Sequence, residues 1–290
     1  MSHQGCKFRQ NSISEALHQA RQVISDTDAR MLLQHVLNVS HAYMIAYANR
    51  ELSLEQAQYF SELTRRRAYG EPVAYLTGKR EFYSLDFKVT PAVLIPRPET
   101  ELLVDLALER IPVDRSLKVL DLGTGSGAIA LTIAKHRPLA SIIAVDISMD
   151  AMEIARSNAE QLGVHNARIM QGDWFSALAG GRFDLIISNP PYVASSDPHL
   201  AQGDLRFEPS IALTDSGDGL DCLRSIVESA PAYLAAGGSL LLEHGYDQAE
   251  ACRQLMSEAG FGAIISRSDL AGIPRISGGF QMVRQGTNKT

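Results

Sequence analysis

Ser188-Asn189-Pro190-Pro191-Tyr192 is the stretch whose residue types restrict the chemistry most. Consecutive prolines remove backbone donors and restrict φ, so the loop is stiff and displays carbonyl oxygens without competing amides. Pro190 also pushes Asn189 out of the α region. The Asn189 side chain adds an acceptor, and Tyr192 offers a flat wall. Such a pocket suits a planar NH2 group, with Asn189 Oδ1 and the Pro190 carbonyl each taking one N–H. A conjugated nitrogen is a poor nucleophile. Holding both of its N–H bonds aims the lone pair at an electrophile, by orientation and by preorganised electrostatics as positive charge develops. Asn189, Pro190 and Tyr192 are therefore the catalytic candidates, and Asn189 to Tyr192 the substrate contacts. A side-chain amide fits this pocket, and so does the exocyclic amine of adenine.

The electrophile must come from a neighbouring site. Asp121-Leu122-Gly123-Thr124-Gly125-Ser126-Gly127 stands where an apolar run ends and a helical pattern begins. Glycines there permit tight turns and close approach of a ligand. Asp146 follows roughly 20 residues on, placed to accept hydrogen bonds from ribose hydroxyls. Nicotinamide enzymes use the same logic, but the spacing here is GxGxG, and a carboxylate at Asp121 would repel a pyrophosphate. Asp121 suits instead the ammonium of S-adenosylmethionine (SAM), directly or through a water. Gly172-Asp173-Trp174 supplies an acceptor for the adenine amine and a flat face for its ring, or else Trp174 is simply core. The cofactor-binding candidates are Asp121, Gly123, Thr124, Gly125, Ser126, Gly127, Asp146, Asp173 and Trp174.

These loops need a scaffold. After Ser116 the chain alternates strand and helix. Strands are expected at Val119–Leu122, Ile142–Asp146, Arg168–Met170, Asp184–Ser188 and Ser239–Glu243, and helices over Ala128–His136, from Ser148 to Leu162, and over Asp247–Ala259. This order implies a mostly parallel sheet covered on both faces. Ala263–Ser266 and Phe280–Arg284 also read as strands. The glycine-rich segment between them has no helical face, so the two should pair antiparallel. The fold class is α/β, like class I SAM-dependent methyltransferases: Rossmann-like, mostly parallel, with a reversed last strand.

Ser12 to Gly70 reads as a small helical bundle, with a capping box at Ser53 and Gln56 and a stop at Gly70. Leu85, Phe87 and Val89 alternate with polar residues, which marks a β-hairpin. The expected organisation is a helical substrate-recognition domain over 1–77, a connecting hairpin over 78–95 and the methyltransferase domain over 96–290. Arg97 and Glu99 are placed for an ion pair.

The 290 residues are 45% hydrophobic and 21% charged, with a net charge of −6. A mildly acidic chain is a poor match for a protein that grips long nucleic acid through many phosphates, although Arg65, Arg66 and Arg67 form a local basic patch. Cys6, Cys222 and Cys252 lie far apart, so neither a disulfide framework nor a zinc site is expected. No metal-ligand cluster stands out, and His244 reads as structural. Met1–Gln10 lacks a signal-peptide pattern, and no run approaches the roughly 20 apolar residues of a membrane span. The expected location is cytoplasmic.

The sequence resembles the HemK/PrmC-type protein-(glutamine-N5) methyltransferases over nearly its whole length. The likeness runs through Leu94-Ile95-Pro96-Arg97-Pro98-Glu99-Thr100-Glu101, Asp121 to Gly127, Gly172 to Trp174 and Asn189 to Tyr192. It continues through Glu208-Pro209, Asp218 to Asp221, Leu242 to Gly245 and Asp269 to Arg275. The resemblance implies SAM contacts from the Gly123–Gly127 loop, Asp146, Trp174 and Asn189, and glutamine recognition by Asn189 to Tyr192. It implies methylation of the glutamine in the Gly-Gly-Gln loop of bacterial class I peptide chain release factors, with no nucleic acid and no membrane as partner. A sister group acting on a ribosomal protein, and an adenine-amine methyltransferase, are the alternatives.

Overall fold

The computed structural model describes residues 11–178, 180–215 and 217–282. The first ten residues, the tail from Gln285 and Cys6 lie outside them. The chain divides into two compact units, Met1–Gly78 and Lys79–Thr290.

The first unit is helical: α1 (Ile13–Ala20), α2 (Asp26–Leu37), α3 (His41–Ala46), α4 (Leu54–Ala68) and α5 (Val73–Thr77). Serines start the first four. Ser12 with Glu15, and Ser53 with Gln56, form reciprocal capping boxes, and Ser25 and Ser40 cap α2 and α3. Ile13, Leu32, Leu33, Leu52 and Leu63 close the core. The arginines of the last turn of α4 do not form a free basic patch. Arg65 pairs with Glu62 at 2.7 Å, Arg66 with Glu71, and Arg67 with Asp28 at 2.9 Å. The exposed Arg65–Glu62 pair adds little stability, but all three pairs cancel the local charge.

In the second unit β1 (Lys79–Phe82) and β2 (Leu85–Lys88) form the hairpin. Its turn uses Tyr83 and Ser84, both at positive φ, where glycine or asparagine is usual. Carboxylates compensate: Glu101 accepts the Tyr83 amide at 2.8 Å and Glu81 the Ser84 amide at 2.6 Å. A short 3₁₀ turn over Pro98–Thr100 leads into α6 (Glu101–Arg110).

The remaining elements are β3 (Lys118–Leu122), α7 (Ala128–His136), β4 (Ser141–Asp146), α8 (Met149–Leu162), β5 (Ala167–Gln171), β6 (Phe183–Ser188), α9 (Ser210–Leu213), α10 (Asp221–Tyr233), β7 (Leu234–Glu243), α11 (Ala249–Glu258), β8 (Phe261–Ser268) and β9 (Pro274–Gln281). The seven-stranded sheet has the order β5-β4-β3-β6-β7-β9-β8. β3 pairs in parallel with both β4 and β6, so the chain leaves β3 on one side and returns on the other. Ligands of open α/β sheets bind at such a switch point, beyond the carboxyl ends of the strands. Asp121, Asp146 and Ser188 are carried there by β3, β4 and β6.

The reversed strand is β9, antiparallel to β7 on one side and β8 on the other. It lies inside the sheet and covers Pro274–Gln281 rather than Phe280–Arg284, whose last two residues lie outside the described ones. Its glycines look like loop residues because they are needed for close packing, not for a turn. A Cβ on Gly278 would stand 2.5 Å from Leu241 Cδ2 and 2.8 Å from the Leu240 carbonyl oxygen. Gly278→Ala should therefore cost roughly 1–3 kcal/mol of stability; a melting temperature equal to the parent's would contradict this packing. β7 likewise begins at Leu234 rather than Ser239, across a register shift between Phe183 and Leu185. Among the described residues no helix is long and apolar enough to cross a membrane.

Candidate active site

The loop after β3 is laced to its neighbours by backbone bonds. Gly123, Gly125 and Gly127 all hold positive φ, at 72°, 56° and 83°. The amides of Gly123 and Thr124 both donate to the Val145 carbonyl, at 2.9 and 3.0 Å. The Gly125 amide donates to Asp146 Oδ2 at 2.8 Å, and the Ser148 amide to Oδ1 at 2.9 Å. Asp146 thus holds the loop and the start of α8 together. Burial pushes its carboxyl up, against the pull of these amides.

Asn158, fully buried on α8, was not legible as a site residue. Its amide donates to Ser126 O at 2.8 Å and to Lys88 O at 3.0 Å, and accepts the Lys88 amide at 2.7 Å. One side chain therefore fixes both the glycine loop and the end of the hairpin.

Asp121 is fully buried. The Thr124 hydroxyl donates to Oδ2 at 2.7 Å, and Oδ1 has no partner among the described residues. Burial pushes this carboxyl up to about 7, the Thr124 hydroxyl opposing. A raised folded pKa means that the native state binds the proton more tightly than the unfolded chain. The contribution to stability is greatest below the unfolded pKa of about 4 and is lost as pH rises through 7. Asp121→Asn should therefore stabilise the protein at about pH 8, by roughly 1–3 kcal/mol, and leave it nearly unchanged at about pH 4. Thermal unfolding at the two pH values checks this; a variant less stable at the higher pH would contradict it.

Trp174 holds positive φ, 45°. Its ring lies beside Gly123: a Cβ there would be 3.6 Å from Trp174 Cζ3. Trp174 packs partly on the core and partly lines a cavity. Asp173 lines the same cavity, and its amide donates to Ser176 Oγ at 3.0 Å.

Ser188 ends β6 with its hydroxyl donating to Leu122 O at 2.7 Å. Asn189 follows, and its Nδ2 donates to the Thr100 hydroxyl at 3.3 Å. Asn189 lines the cavity. With its NH2 engaged by Thr100, Oδ1 is the acceptor it offers there. Tyr192 turns inward: its hydroxyl donates to Glu243 Oε1 at 3.3 Å, and burial first, then Glu243, raise its pKa. Gln248 Nε2 donates to the Tyr192 carbonyl at 2.9 Å and to Gly219 O at 3.1 Å. Gly219 must be glycine, because a Cβ would stand 2.5 Å from the Tyr192 carbonyl oxygen.

The cavity measures about 280 Å³. Of the sequence-named residues, Gly123, Gly125, Asp146, Asp173, Trp174, Asn189 and Pro191 line it. Asp121, Thr124, Ser126, Gly127, Pro190 and Tyr192 are not among its lining residues. The sequence reading missed the apolar lips, Ala92–Leu94 and Ile211–Ala212. Nothing in their residue types marks them. Arg97 joins the two segments, but not through Glu99: its guanidinium meets both oxygens of the buried Glu208, at 2.8 and 2.7 Å. Burial pushes the Glu208 carboxyl up, and Arg97 opposes that.

His244 is buried, with Nδ1 at 2.8 Å from Gly245 O and Nε2 at 2.9 Å from Ser277 Oγ, and burial lowers its pKa. It is far more use as a strand-end crosslink than as a base. The fold also gathers Asp215, Asp218 and Asp221, which sequence spacing did not flag as a cluster. Asp215 spends its carboxylate on the amides of Gly217, Gly219 and Asp221, at 2.8, 3.1 and 2.7 Å. Cys222 and Cys252 are free thiols.

The chain matches two family models: the Methyltransferase small domain over residues 99–205 and the PrmC N-terminal domain over residues 10–78. Among solved structures, a methyltransferase from Pyrococcus furiosus superposes with a TM-score of 0.54 at 19% identity, covering 77% of this chain and 100% of that one. A 16S rRNA methyltransferase from T. thermophilus, in complex with AdoMet and guanosine, superposes with a TM-score of 0.52 at 21% identity over 70% of this chain and 49% of that one. These likenesses establish the SAM-dependent methyltransferase fold. The release factor glutamine methyltransferase of Burkholderia pseudomallei is 53% identical over 87% of this chain and 90% of its own length. The Escherichia coli protein of that name is 50% identical over 81% of this chain and 84% of its own. With sequence identity of this order along most of both chains, this chain belongs to the release factor glutamine methyltransferase family.

Proposed function

We propose that this chain transfers a methyl group from SAM to the side-chain amide nitrogen of the glutamine in the Gly-Gly-Gln loop of bacterial class I peptide chain release factors. The carrying observation is the orientation of Asn189, whose NH2 is engaged by Thr100 so that Oδ1 is left to accept from a substrate NH2. The residues beside it suit the cofactor. The glycine backbone at 123 and 125 and the Trp174 ring line the cavity with Asp146 and Asp173, and Asp121 Oδ1 is a buried acceptor lacking a partner. Bound SAM supplies an electrophilic methyl, whose bond to sulfur breaks as the bond to the amide nitrogen forms.

The protein's own contribution is positional. Asn189 Oδ1 and the Pro190 carbonyl accept the two N–H bonds, which directs the nitrogen lone pair. As positive charge grows on nitrogen, both acceptors stabilise it, and one proton leaves after transfer. No strong base is needed beforehand. The apolar lips at Leu94 and Ile211 suit the aliphatic stem of a glutamine.

The reading places the protein in the cytoplasm, acting on the translation termination machinery. The adenine-amine alternative shares the chemistry of Asn189 to Tyr192 but usually brings a basic surface; here Arg65, Arg66 and Arg67 are each ion-paired. Incubation with labelled SAM and separate pools of release factor, ribosomal protein and nucleic acid tests the choice. Label confined to release factor supports it, and label in either other pool overturns it.

A single loop offers little binding area, so residues 1–77 are assigned to the body of the partner, supplying affinity remote from the reacting atom. Residues 79–290 alone should bind SAM like the full chain yet show a KM for release factor raised at least about tenfold. Full activity of that fragment would refute the assignment.

A further inference from the structure

Glu243 ends β7 directly behind the Asn189 loop and is 1% exposed. A buried carboxylate is costly unless it is paired. Among the described residues no cation forms an ion pair with Glu243: the guanidinium of Arg275 bonds Asp269 at 3.1 Å instead. Its Oε1 accepts the Tyr192 hydroxyl at 3.3 Å, and Oε2 has no partner among the described residues. Thr100, also buried, accepts the Asn189 NH2 through its hydroxyl oxygen at 3.3 Å. That leaves the Thr100 proton available to Glu243, whose carboxyl Thr100 pulls down against burial.

We propose that Glu243 is a positioning residue for methyl transfer, which through Thr100 and Tyr192 sets the direction in which the Asn189 amide faces the substrate. The inference rests on the proposed NH2 substrate. An ionised carboxylate only accepts hydrogen bonds. Placed at the end of the chain Asn189–Thr100–Glu243, it forces Thr100 to donate toward Glu243 and so to accept from Asn189. The amide then has one satisfactory orientation, NH2 inward and Oδ1 toward the substrate. A glutamine at 243 could donate to Thr100, which could then donate to Asn189 Oδ1. The flipped amide would meet the substrate NH2 donor to donor.

The groups that act on Glu243 are Thr100, Tyr192, Arg275 and Glu99, and burial outweighs them, pushing its carboxyl up to about 7. The orientation device is therefore complete above neutrality and lost below it. Turnover should rise with pH through this range.

Glu243→Gln and Thr100→Val test the device, with Thr100→Ser as the conservative rescue. Both disruptive variants should lower kcat for release factor roughly 10- to 100-fold, with SAM affinity by calorimetry within about twofold of the parent and Thr100→Ser near normal. The rise of kcat near neutrality should vanish in Glu243→Gln. Side-chain NH2 exchange of Asn189, followed by NMR on ¹⁵N-labelled protein, needs no substrate. It should be slow in the parent and faster in both disruptive variants. Parental kcat in Glu243→Gln, a neutral pH step that persists there, or unchanged Asn189 exchange overturns the inference. A parent that leaves release factor unmethylated while its Asn189 exchange responds as described defeats the substrate assignment and leaves the orientation device standing.

Discussion

Asn189→Ala is expected to lower kcat for release factor by about 100- to 1,000-fold, the range seen when one preorganised polar partner of a transition state is removed. The loss has two sources. One substrate N–H is left buried without an acceptor, which costs roughly 1–3 kcal/mol. The nitrogen lone pair also loses its aim. SAM affinity should fall much less, because Gly123, Gly125, Asp146, Asp173 and Trp174 line the cavity independently of Asn189. Asn189→Asp discriminates further. It keeps an acceptor of nearly the same shape, and its charge favours the cationic nitrogen. It lacks the NH2 that reaches the Thr100 hydroxyl at 3.3 Å, and its desolvation is costly. Its turnover should fall between those of Ala and the parent. Steady-state methylation of release factor by the three proteins decides; an alanine variant as fast as the parent would contradict the mechanism.

Asp146→Ala should have the next largest effect, on cofactor binding. Charged hydrogen bonds to ribose hydroxyls are worth roughly 1.5–3 kcal/mol, an affinity loss of about 10- to 150-fold. The same carboxylate holds the amides of Gly125 and Ser148 at 2.8 and 2.9 Å, so its removal also loosens the loop that lines the cavity. The fold should survive, because neither amide belongs to a sheet ladder. Calorimetry with SAM measures the loss. Unchanged SAM affinity, or tighter binding of NAD than of SAM by the parent, would contradict the assignment.

The parts legible in the sequence are those carried by local pattern. Ser53 and Gln56 announce a helix start, and Gly123 to Gly127 a turn that needs positive φ. The alternation of apolar strand and helix reveals β3 to β6, and Asn189-Pro190-Pro191 marks a stiff loop, of which Asn189 and Pro191 line the cavity. What escaped depends on pairings distant along the chain. Arg97 meets Glu208 rather than its near neighbour Glu99, and Thr100 reaches Asn189. Arg67 is neutralised by Asp28. Asn158 ties α8 to two loops at once. None of these has a periodic signature. The position of β9 was misread for a different reason: Gly278 and Gly279 serve close packing of strands, whereas glycine in sequence suggests a loop. Tyr192, expected as a wall, faces Glu243, because a buried phenol needs a partner for its hydroxyl.

The central claim is that one amide nitrogen of a release factor is methylated by this chain. Purified release factor, incubated with the enzyme and SAM, digested and sequenced by tandem mass spectrometry, tests it most directly. The account predicts a single added methyl on the glutamine side chain of the Gly-Gly-Gln peptide, absent when SAM is omitted and strongly reduced with Asn189→Ala. An unmodified Gly-Gly-Gln peptide after full incubation, or a methyl on any other residue, would contradict it.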